Sequence, residues 1–295
     1  MRKYFSIMAL TVTLATYAQV NLVPNFSFEN YSICPTAEDQ IQYVIGWSKF
    51  SDVSTTPDYY NSCSSSSAMG VPKSYSCNQP ANRNCSAYIG LCTFATSTSN
   101  YREQIGIQLS QQMIIGQKYY MSFATVLGEG WLGNNLSGMK SNNIGLKFSK
   151  VQFSPGSPAP INNFAHLKSS LVISDSINWQ LVSGSFIADS AYNYVMLGNF
   201  YNDANTNVVN YGCGYCLDAF CYYLIDDICV STDSLFCNGV VNILPCSYTG
   251  FDENKNFGNI LIYPSPLYNE LYISISYVSK LNIELTDIYG RLVYS

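Results

Sequence analysis

Four acidic residues of this chain could take part in hydrolysis. They are Asp58, Glu103, Glu129 and Asp175. Glycoside hydrolysis needs two carboxyl groups at a defined separation, one to protonate the leaving oxygen and one to act as base or nucleophile. Glu103 is the strongest candidate because Arg102 precedes it, and a neighbouring guanidinium would hold the carboxylate ionised. An Arg–Glu ion pair at the start of a strand explains the same two residues without catalysis, so hydrolysis stays the second hypothesis.

Nucleophilic catalysis has little support in the sequence. A serine or cysteine nucleophile needs a histidine base, and the chain has one histidine, His166. It lies in the polar segment NNFAH at 162–166, and no serine stands in a G-x-S-x-G elbow. We therefore predict that His166 is a surface residue.

The N-terminus predicts export. Arg2 and Lys3 precede an apolar run at 4–15 and small residues that end at Ala18. This order is typical of a signal peptide over residues 1–18. No other segment approaches the ~20 continuous apolar residues of a membrane helix, so we predict no transmembrane segment in the mature protein.

The chain has 11 cysteines. Export into an oxidising compartment favours disulfides, and the odd number leaves one thiol or one link to another chain. The CGYC segment at 213–216, with Cys221 and Cys229, could instead bind zinc or act in redox exchange. A zinc site usually has two such pairs, so structural disulfides are the preferred interpretation. Among local pairs we predict Cys237–Cys246.

Charge excludes one class of partner. The 14 basic residues fall to 12 when Arg2 and Lys3 leave with the signal peptide, against 19 acidic ones. Nucleic-acid binding needs a basic surface, so we predict no nucleic-acid partner.

Short apolar runs separated by turn residues predict an all-β protein. Eight or so strands over roughly 210 residues indicate a β-sandwich, most simply a jelly roll. Trp47 and Trp179 fall within strand patterns, so we expect them in the core. The strand candidates are 41–47, 87–91, 103–109, 118–126, 143–148, 179–187, 194–200 and 222–230.

Two segments resemble the galactose-binding-like jelly rolls found in many carbohydrate-binding modules. NLVPNFSFE at 21–29 matches the start of that fold, and YYLIDDICV at 222–230 matches its last strand. The first and last strands of that fold lie close together. The resemblance therefore implies a structural Ca²⁺ held by Glu29 and by Asp226 or Asp227, since calcium prefers six to eight oxygen ligands.

The same resemblance implies a glycan or cell-surface polysaccharide as partner. Such modules stack exposed aromatic rings on sugar faces and bond the hydroxyl groups with amides and acids. Any single one of the 25 tyrosines is more often a packing residue than a ligand. The candidate ligand-binding residues are Trp131, Tyr59, Tyr60, Asn135, Tyr201 and Asp203.

The C-terminal segment resembles the sorting domain of the type IX secretion system. YPSP at 263–266 stands where the family has Y-P-N-P, and DIYGRLV at 287–293 fits D-x-x-G-R-x-V. The family continues for several more strands, so the sequence predicts a partial domain. The resemblance implies the type IX secretion machinery as a partner, and a protein that is secreted or attached to the outer-membrane surface.

These patterns predict four segments: a signal peptide at 1–18, a jelly roll at 19–232, a linker at 233–256 and a partial small β-sandwich sorting domain at 257–295. We expect a non-catalytic, secreted binding module for carbohydrate. The alternatives are a surface adhesin or structural protein that binds protein partners, and a divergent polysaccharide hydrolase.

Overall fold

The computed structural model describes residues 21–74, 78–128, 138–210 and 219–238, and the backbone of four short strands between 260 and 294. The first twelve strands are β1 Ser48–Lys49, β2 Asp58–Asn61, β3 Ala87–Ala95, β4 Gln104–Gln108, β5 Lys118–Leu127, β6 Gly138–Ser141, β7 Ile144–Ser149, β8 Leu167–Lys168, β9 Gln180–Ile187, β10 Tyr194–Asn199, β11 Val208–Asn210 and β12 Phe220–Ser231. A short helix, α1, spans Ser234–Asn238.

These strands form two sheets. The five-stranded sheet has the antiparallel order β1-β4-β10-β7-β8. In the seven-stranded sheet, β12 pairs with β3 on one edge and with β5 on the other, and β2 and β9 lie beyond them. The first residues of β12 also pair in parallel with β6, which pairs with β11. The predicted all-β jelly-roll sandwich is confirmed.

The main core lies between the two sheets. Alternate residues of each strand point into it, as Ile105 and Ile107 of β4 and Ile89 and Leu91 of β3 do, because side chains alternate across a strand. Trp47 is 3% exposed in this core, and its ring nitrogen donates to the Asn25 carbonyl at 3.0 Å. The core prediction for Trp47 is confirmed.

The beginning of the described chain runs along the end of β12. The Leu22 amide donates to the Val230 carbonyl at 2.7 Å, and the Ile228 amide donates to the Phe26 carbonyl at 2.9 Å. The Asn21 side chain donates to the Ile228 carbonyl at 2.8 Å. The first and last segments of the jelly roll are therefore neighbours, as the resemblance implied.

A second apolar cluster covers part of the outer face of the seven-stranded sheet. Tyr60, Tyr88 and Tyr222 form its base, and Met69 and Trp179 cover them. Trp179 is half-buried and donates to the Pro80 carbonyl at 3.0 Å. We call this part of the sheet, formed by β2, β3 and the start of β12, the closed face.

One local disulfide differs from the prediction. Cys237 pairs with Cys229, 8 residues away, so the predicted Cys237–Cys246 pair is wrong. The reason is that α1 packs back onto β5 and β12, where the Ser122 hydroxyl donates to the Cys237 carbonyl at 2.7 Å. This helix falls within the segment 233–256 that the sequence assigned to a linker.

The other described cysteines divide into bonded and free ones. Cys34 and Cys63 form a disulfide that links the segment before β1 to the loop after β2. Cys92 and Cys221 are free and buried. The CGYC segment at 213–216 lies outside the described residues.

The chain divides into two compact units, Met1–Tyr248 and Thr249–Ser295. In the second unit, β13 Ile260–Tyr263 pairs antiparallel with β14 Tyr272–Ile275, and β15 Leu285–Thr286 pairs with β16 Leu292–Tyr294. The sorting domain stays a prediction. The signal peptide at 1–18 lies outside the described residues.

Candidate functional site

Two of the predicted sugar-binding tyrosines are core residues. Tyr59 and Tyr60 are 0% and 1% exposed, so neither can present a ring to a glycan and this prediction is wrong. The Tyr59 hydroxyl donates to the Phe28 carbonyl at 3.0 Å and accepts from Asn61 at 2.7 Å. Because the closed face is covered, β2 is buried on both sides, and alternation along the strand exposes neither ring.

Tyr201 and Asp203 lie together at one end of the sandwich. The Asp203 carboxylate accepts from the Arg102 guanidinium at 2.9 Å and from the Asn100 amide at 2.8 Å. Arg102 also donates to the Tyr201 carbonyl at 2.9 Å. The half-buried Tyr201 ring lies 4.3 Å from the Lys168 ammonium. Asp203 thus ties two loops together, and sugar contacts by either residue stay a prediction.

Trp131 and Asn135 lie outside the described residues, as does Glu129 among the candidate acids. Their roles stay predictions.

Asp58 lies under the closed face with two tyrosines. The Tyr222 hydroxyl donates to its carboxylate at 2.5 Å, and the Tyr60 and Tyr222 hydroxyls are 2.8 Å apart. Tyr222 reaches Asp58 across Gly90, where a Cβ would overlap the Tyr222 ring. Burial, reinforced by the charge of Glu103, raises the pKa of Asp58 to about 7.

Glu103 is a second buried carboxyl group, 2% exposed. It accepts hydrogen bonds from the Thr56 amide at 2.8 Å, the Cys92 amide at 2.7 Å and the Tyr101 hydroxyl at 2.9 Å. Burial raises its pKa, although these donors oppose the shift. The predicted Arg102–Glu103 pair is wrong, because the guanidinium of Arg102 binds Asp203 instead.

The three described candidate acids are occupied by protein donors. Asp58 and Glu103 are 7% and 2% exposed and accept hydrogen bonds from neighbouring protein groups. Asp175 accepts the Ile177 and Asn178 amides, both at 2.8 Å, and so caps its own turn. Among these residues the carboxylates stabilise loops and strand ends.

The predicted calcium residues do come together. The Glu29 carboxylate accepts the Ser86 and Ala87 amides, both at 2.9 Å. Asp226 accepts the backbone amides of Asn82 at 3.1 Å and of Asp227 at 2.7 Å. Burial, and then the charge of Asp227, raises the pKa of Asp226.

Asp227 holds an arginine where the resemblance implies a metal ion. Both of its oxygens accept hydrogen bonds from Arg83, and one of them also accepts from the Asn82 side chain at 2.8 Å. Within the described part of the chain, no group of three or more His, Cys, Asp or Glu side chains is arranged to hold a metal. The residues as placed do not fit Ca²⁺, which would need these same oxygens.

His166 is half-buried rather than a surface residue, so that prediction is wrong. Its ring packs against Phe148, Phe164, Phe186 and Tyr192 at centroid distances of 4.8–5.1 Å. Its Nδ1 accepts the Phe148 amide at 3.1 Å, so Nε2 carries the proton and donates to the Tyr192 hydroxyl at 3.2 Å. Burial lowers the pKa of His166 to about 4.

The outer face of the five-stranded sheet is covered differently. Phe50 and Met196 pack there against Phe153 and Ala159 from the segment 151–165. Beside this cover, a pocket of about 230 Å³ stays open to solvent on one side. We call this outer face the pocket face. The pocket is lined by Pro24, Gly46, Ser48, Phe50, Gly106, Ile107, Gln108, Gln152 and Tyr194.

Neighbouring strands create the pocket. Gln108 and Tyr194 are cross-strand partners on β4 and β10, and Ser48 on β1 is the partner of Gly106. A Cβ at Gly106 would overlap the Phe50 ring, so glycine lets that ring lie flat on the sheet. The Phe50 ring is fully buried, and the half-buried Tyr194 ring, 6.3 Å from it, is the aromatic surface that the pocket offers.

The polar side chains of the pocket are uncharged and can form hydrogen bonds with a ligand. None of its nine lining residues carries a carboxylate, ammonium, guanidinium or imidazole group. The side chains of Ser48, Gln108, Gln152 and Tyr194 make no hydrogen bond to any other part of the described chain. Sequence reasoning missed these residues because the pocket depends on strand register and on the loop that supplies Gln152.

No protein-family model matches the chain, and no curated protein matches it. A cyclase from Fischerella sp. TAU is a structural neighbour at 13% identity, with a TM-score of 0.43 over 72% of this chain and 96% of the cyclase. The CBM22-1 xylan-binding domain of Paenibacillus barcinonensis Xyn10C has a TM-score of 0.37 at 11% identity, over 74% of this chain and 97% of that domain.

The K3 cleaved adhesin domain of Lys-gingipain from Porphyromonas gingivalis w83 has a TM-score of 0.36 at 11% identity, over 72% of this chain and 99% of the domain. The neighbours thus include a carbohydrate-binding domain, an adhesin domain and an enzyme. At these TM-scores and identities they assign no ligand and no activity to this chain. Across the described residues, no helix is long and apolar enough to span a bilayer.

Proposed function

We propose that the jelly roll is a non-catalytic carbohydrate-binding module and that the pocket of the pocket face is its sugar-binding site. The observation that carries this proposal is a neutral pocket in which the half-buried Tyr194 ring lies beside three other polar side chains, and none of the four has a hydrogen-bond partner in the described chain. A sugar presents CH groups on one face and hydroxyl groups at its edge. Aromatic rings contact the former, and amide and hydroxyl groups bond the latter.

The size of the pocket limits the ligand to a small unit. Its volume of about 230 Å³ is below the ~300–1,000 Å³ of sites for drug-sized molecules. One sugar ring suits such a space, and the open side allows a chain to continue into solvent. The lack of charged lining residues favours a neutral glycan, because a uronic acid or sulfated sugar would need a cation to balance its desolvation.

Export is part of the proposal. A signal peptide at 1–18 would direct the chain out of the cytoplasm, and the segment 257–295 would engage the type IX secretion machinery. The disulfides Cys34–Cys63 and Cys229–Cys237 support an oxidising location, where such bonds persist. The module would then act as a secreted protein or at the outer-membrane surface.

Binding of a protein partner, as in an adhesin, is the second candidate. The turn before β5 exposes Ile114 and Ile115 by 68% and 64%, and Ile187 at the end of β9 is 63% exposed. The turn adjoins the end of β9 because the Gly116 amide donates to the Ala188 carbonyl at 2.8 Å. If this surface binds protein, an Ile114→Ser, Ile115→Ser double variant should lose cell adhesion and keep its melting temperature.

A glycan array of the full chain tests the carbohydrate proposal. We expect a defined set of neutral glycans to bind, and Gln108→Ala to weaken binding about 3–10-fold, the effect of one lost hydrogen bond of roughly 0.5–1.5 kcal/mol. Gln180→Ala is the matched control, since Gln180 is also an exposed strand residue but lies on β9. A folded protein that binds no glycan would contradict the proposal.

A further inference from the structure

The three acids that the resemblance assigns to calcium surround an arginine side chain. We propose that the Arg83 guanidinium is the permanent cation of this cluster and that the jelly roll holds no divalent metal there. The inference rests on the hydrogen bonds of Arg83 to Asp227 and on the charges of Glu29 and Asp226 near its guanidinium. It is independent of the ligand of the pocket.

Two unusual backbone positions build the cluster. β12 has an irregularity between Asp226 and Cys229, and Asp227 within it has a φ of 52°. Arg83 lies in the turn Asn82–Asn84 with a φ of 55°. Non-glycine residues adopt this left-handed region only where the surrounding structure compensates the strain. The fold therefore places these two side chains opposite each other at a local cost.

The carboxylate oxygens are already committed to nitrogen donors. Asp227 receives Arg83 on both oxygens, Asp226 receives a backbone amide on each oxygen, and Glu29 receives two amides on Oε1. A calcium ion needs six to eight oxygen ligands. Within the described residues, Glu29 Oε2 is the one oxygen of the three acids without a hydrogen bond.

The guanidinium is fixed and largely removed from water. The Arg83 side chain is 9% exposed and that of Asp227 is 4% exposed, and the guanidinium carbon lies 5.7 Å from the centre of the Phe26 ring. An arginine is charged at every accessible pH and matches a carboxylate with two parallel hydrogen bonds. It therefore supplies the positive charge that buried acids require, with no ion taken from solution.

Thermal melting of the full chain tests the proposal. We expect the melting temperature to be the same in excess EDTA and in millimolar CaCl₂, and metal analysis of the purified protein to find no bound calcium. A melting temperature that falls in EDTA and recovers with CaCl₂, or one equivalent of calcium per chain, would overturn the proposal.

Removal of the guanidinium should create the cation site that the wild type lacks. Arg83→Ala is expected to lower the melting temperature by about 10 °C and to regain part of this loss in CaCl₂, because Asp227 and Glu29 Oε2 become free to bind the ion. Arg102→Ala is the control, since it removes a buried arginine that pairs with one carboxylate, Asp203. It should lose stability and show no calcium response.

Equal calcium responses of the two variants would overturn the assignment of Arg83 as the substitute for a divalent ion. If Arg83→Ala does not fold, Arg83→Lys keeps the charge and serves as the second variant. We expect it to fold with a smaller loss and no calcium response. The wild-type measurements test the absence of a divalent metal whether or not the variants fold.

Discussion

The polar groups of the two outer faces of the sandwich differ in burial and in hydrogen bonding. Asp58 on the closed face and Glu103 beside it, which accepts the Cys92 amide of β3, are buried, and their hydrogen bonds are with other protein groups. On the pocket face, Gln108, Gln152 and Tyr194 line an open space and form no hydrogen bonds with the described chain. Both faces carry aromatic rings, so aromatic content alone does not distinguish them.

This difference suggests that the polar groups of one face stabilise the fold and that those of the other face bind a ligand. A buried carboxylate that is fully hydrogen-bonded fixes the loops around it, and its loss leaves several donors unpaired. A polar side chain that faces a pocket without a partner can be satisfied by a ligand at little cost to the fold. We therefore expect substitutions on the closed face to change stability, and substitutions on the pocket face to change binding.

Glu103→Ala should give the largest loss of stability. It would leave the Thr56 amide, the Cys92 amide and the Tyr101 hydroxyl without an acceptor, and we expect the free energy of unfolding to fall by about 4 kcal/mol. Urea denaturation measures this. Glu103→Gln keeps an acceptor oxygen and should lose less than half as much. Equal losses, or a loss below about 1 kcal/mol for alanine, would show that the carboxylate does not hold these segments beside the closed face.

Asp58→Asn tests the pH dependence of the same face. The pKa of Asp58 rises from 3.8 to about 7 in the folded protein, so the native state keeps a proton that the unfolded chain releases between pH 4 and 7. This carboxyl therefore destabilises the fold as pH rises through that window. Asparagine does not titrate. Between pH 4 and 7, the free energy of unfolding of the variant should therefore rise by on the order of 4 kcal/mol relative to that of the wild type. A constant difference between the two proteins across this window would contradict the burial of the charge.

Gly90→Ala should destabilise the closed face, because the new methyl group would overlap the Tyr222 ring. The added methyl group would displace the Tyr222 ring from its path to Asp58, and we expect a loss of about 2 kcal/mol in the free energy of unfolding. Gly156→Ala is the control, because a Cβ there meets no atom within 4 Å. A Gly90→Ala variant as stable as the control would refute the close approach.

Tyr194→Phe should give the smallest change in stability. Its hydroxyl makes no hydrogen bond within the described chain, so we expect the melting temperature to shift by less than about 2 °C and glycan affinity to fall about 3–10-fold. Tyr222→Phe makes the same chemical change on the closed face and should do the reverse. Calorimetric melting and glycan titration of both variants measure the two effects, and identical behaviour would remove the distinction between the faces.

Some of this arrangement was predictable from the sequence. The pattern of short strands gave the β-sandwich, and the resemblance of 21–29 and 222–230 to the ends of a jelly roll brought Glu29 close to Asp226 and Asp227. The partner of Asp227 was not predictable, because Arg83 lies 144 residues away in a left-handed turn. Local patterns carry no information on such a contact.

The binding residues were harder to predict for a related reason. Tyr59 and Tyr60 occupy a polar, aromatic stretch that suggests a surface loop. In the structure they lie on β2, and the cluster that contains Met69 and Trp179 covers that strand. The pocket residues Gln108 and Tyr194 are separated by 86 positions and meet only because β4 and β10 pair in one register. Burial and register both depend on the complete topology.

A calorimetric titration of one array-selected neutral glycan decides whether the pocket is the sugar-binding site. It would compare the wild type with Gln108→Ala on the pocket face, Asp58→Asn on the closed face and Tyr201→Ala at the end of the sandwich. We predict weaker binding for Gln108→Ala and wild-type affinity for the other two. Unchanged binding by Gln108→Ala together with lost binding by Tyr201→Ala or Asp58→Asn would contradict the assignment of the pocket.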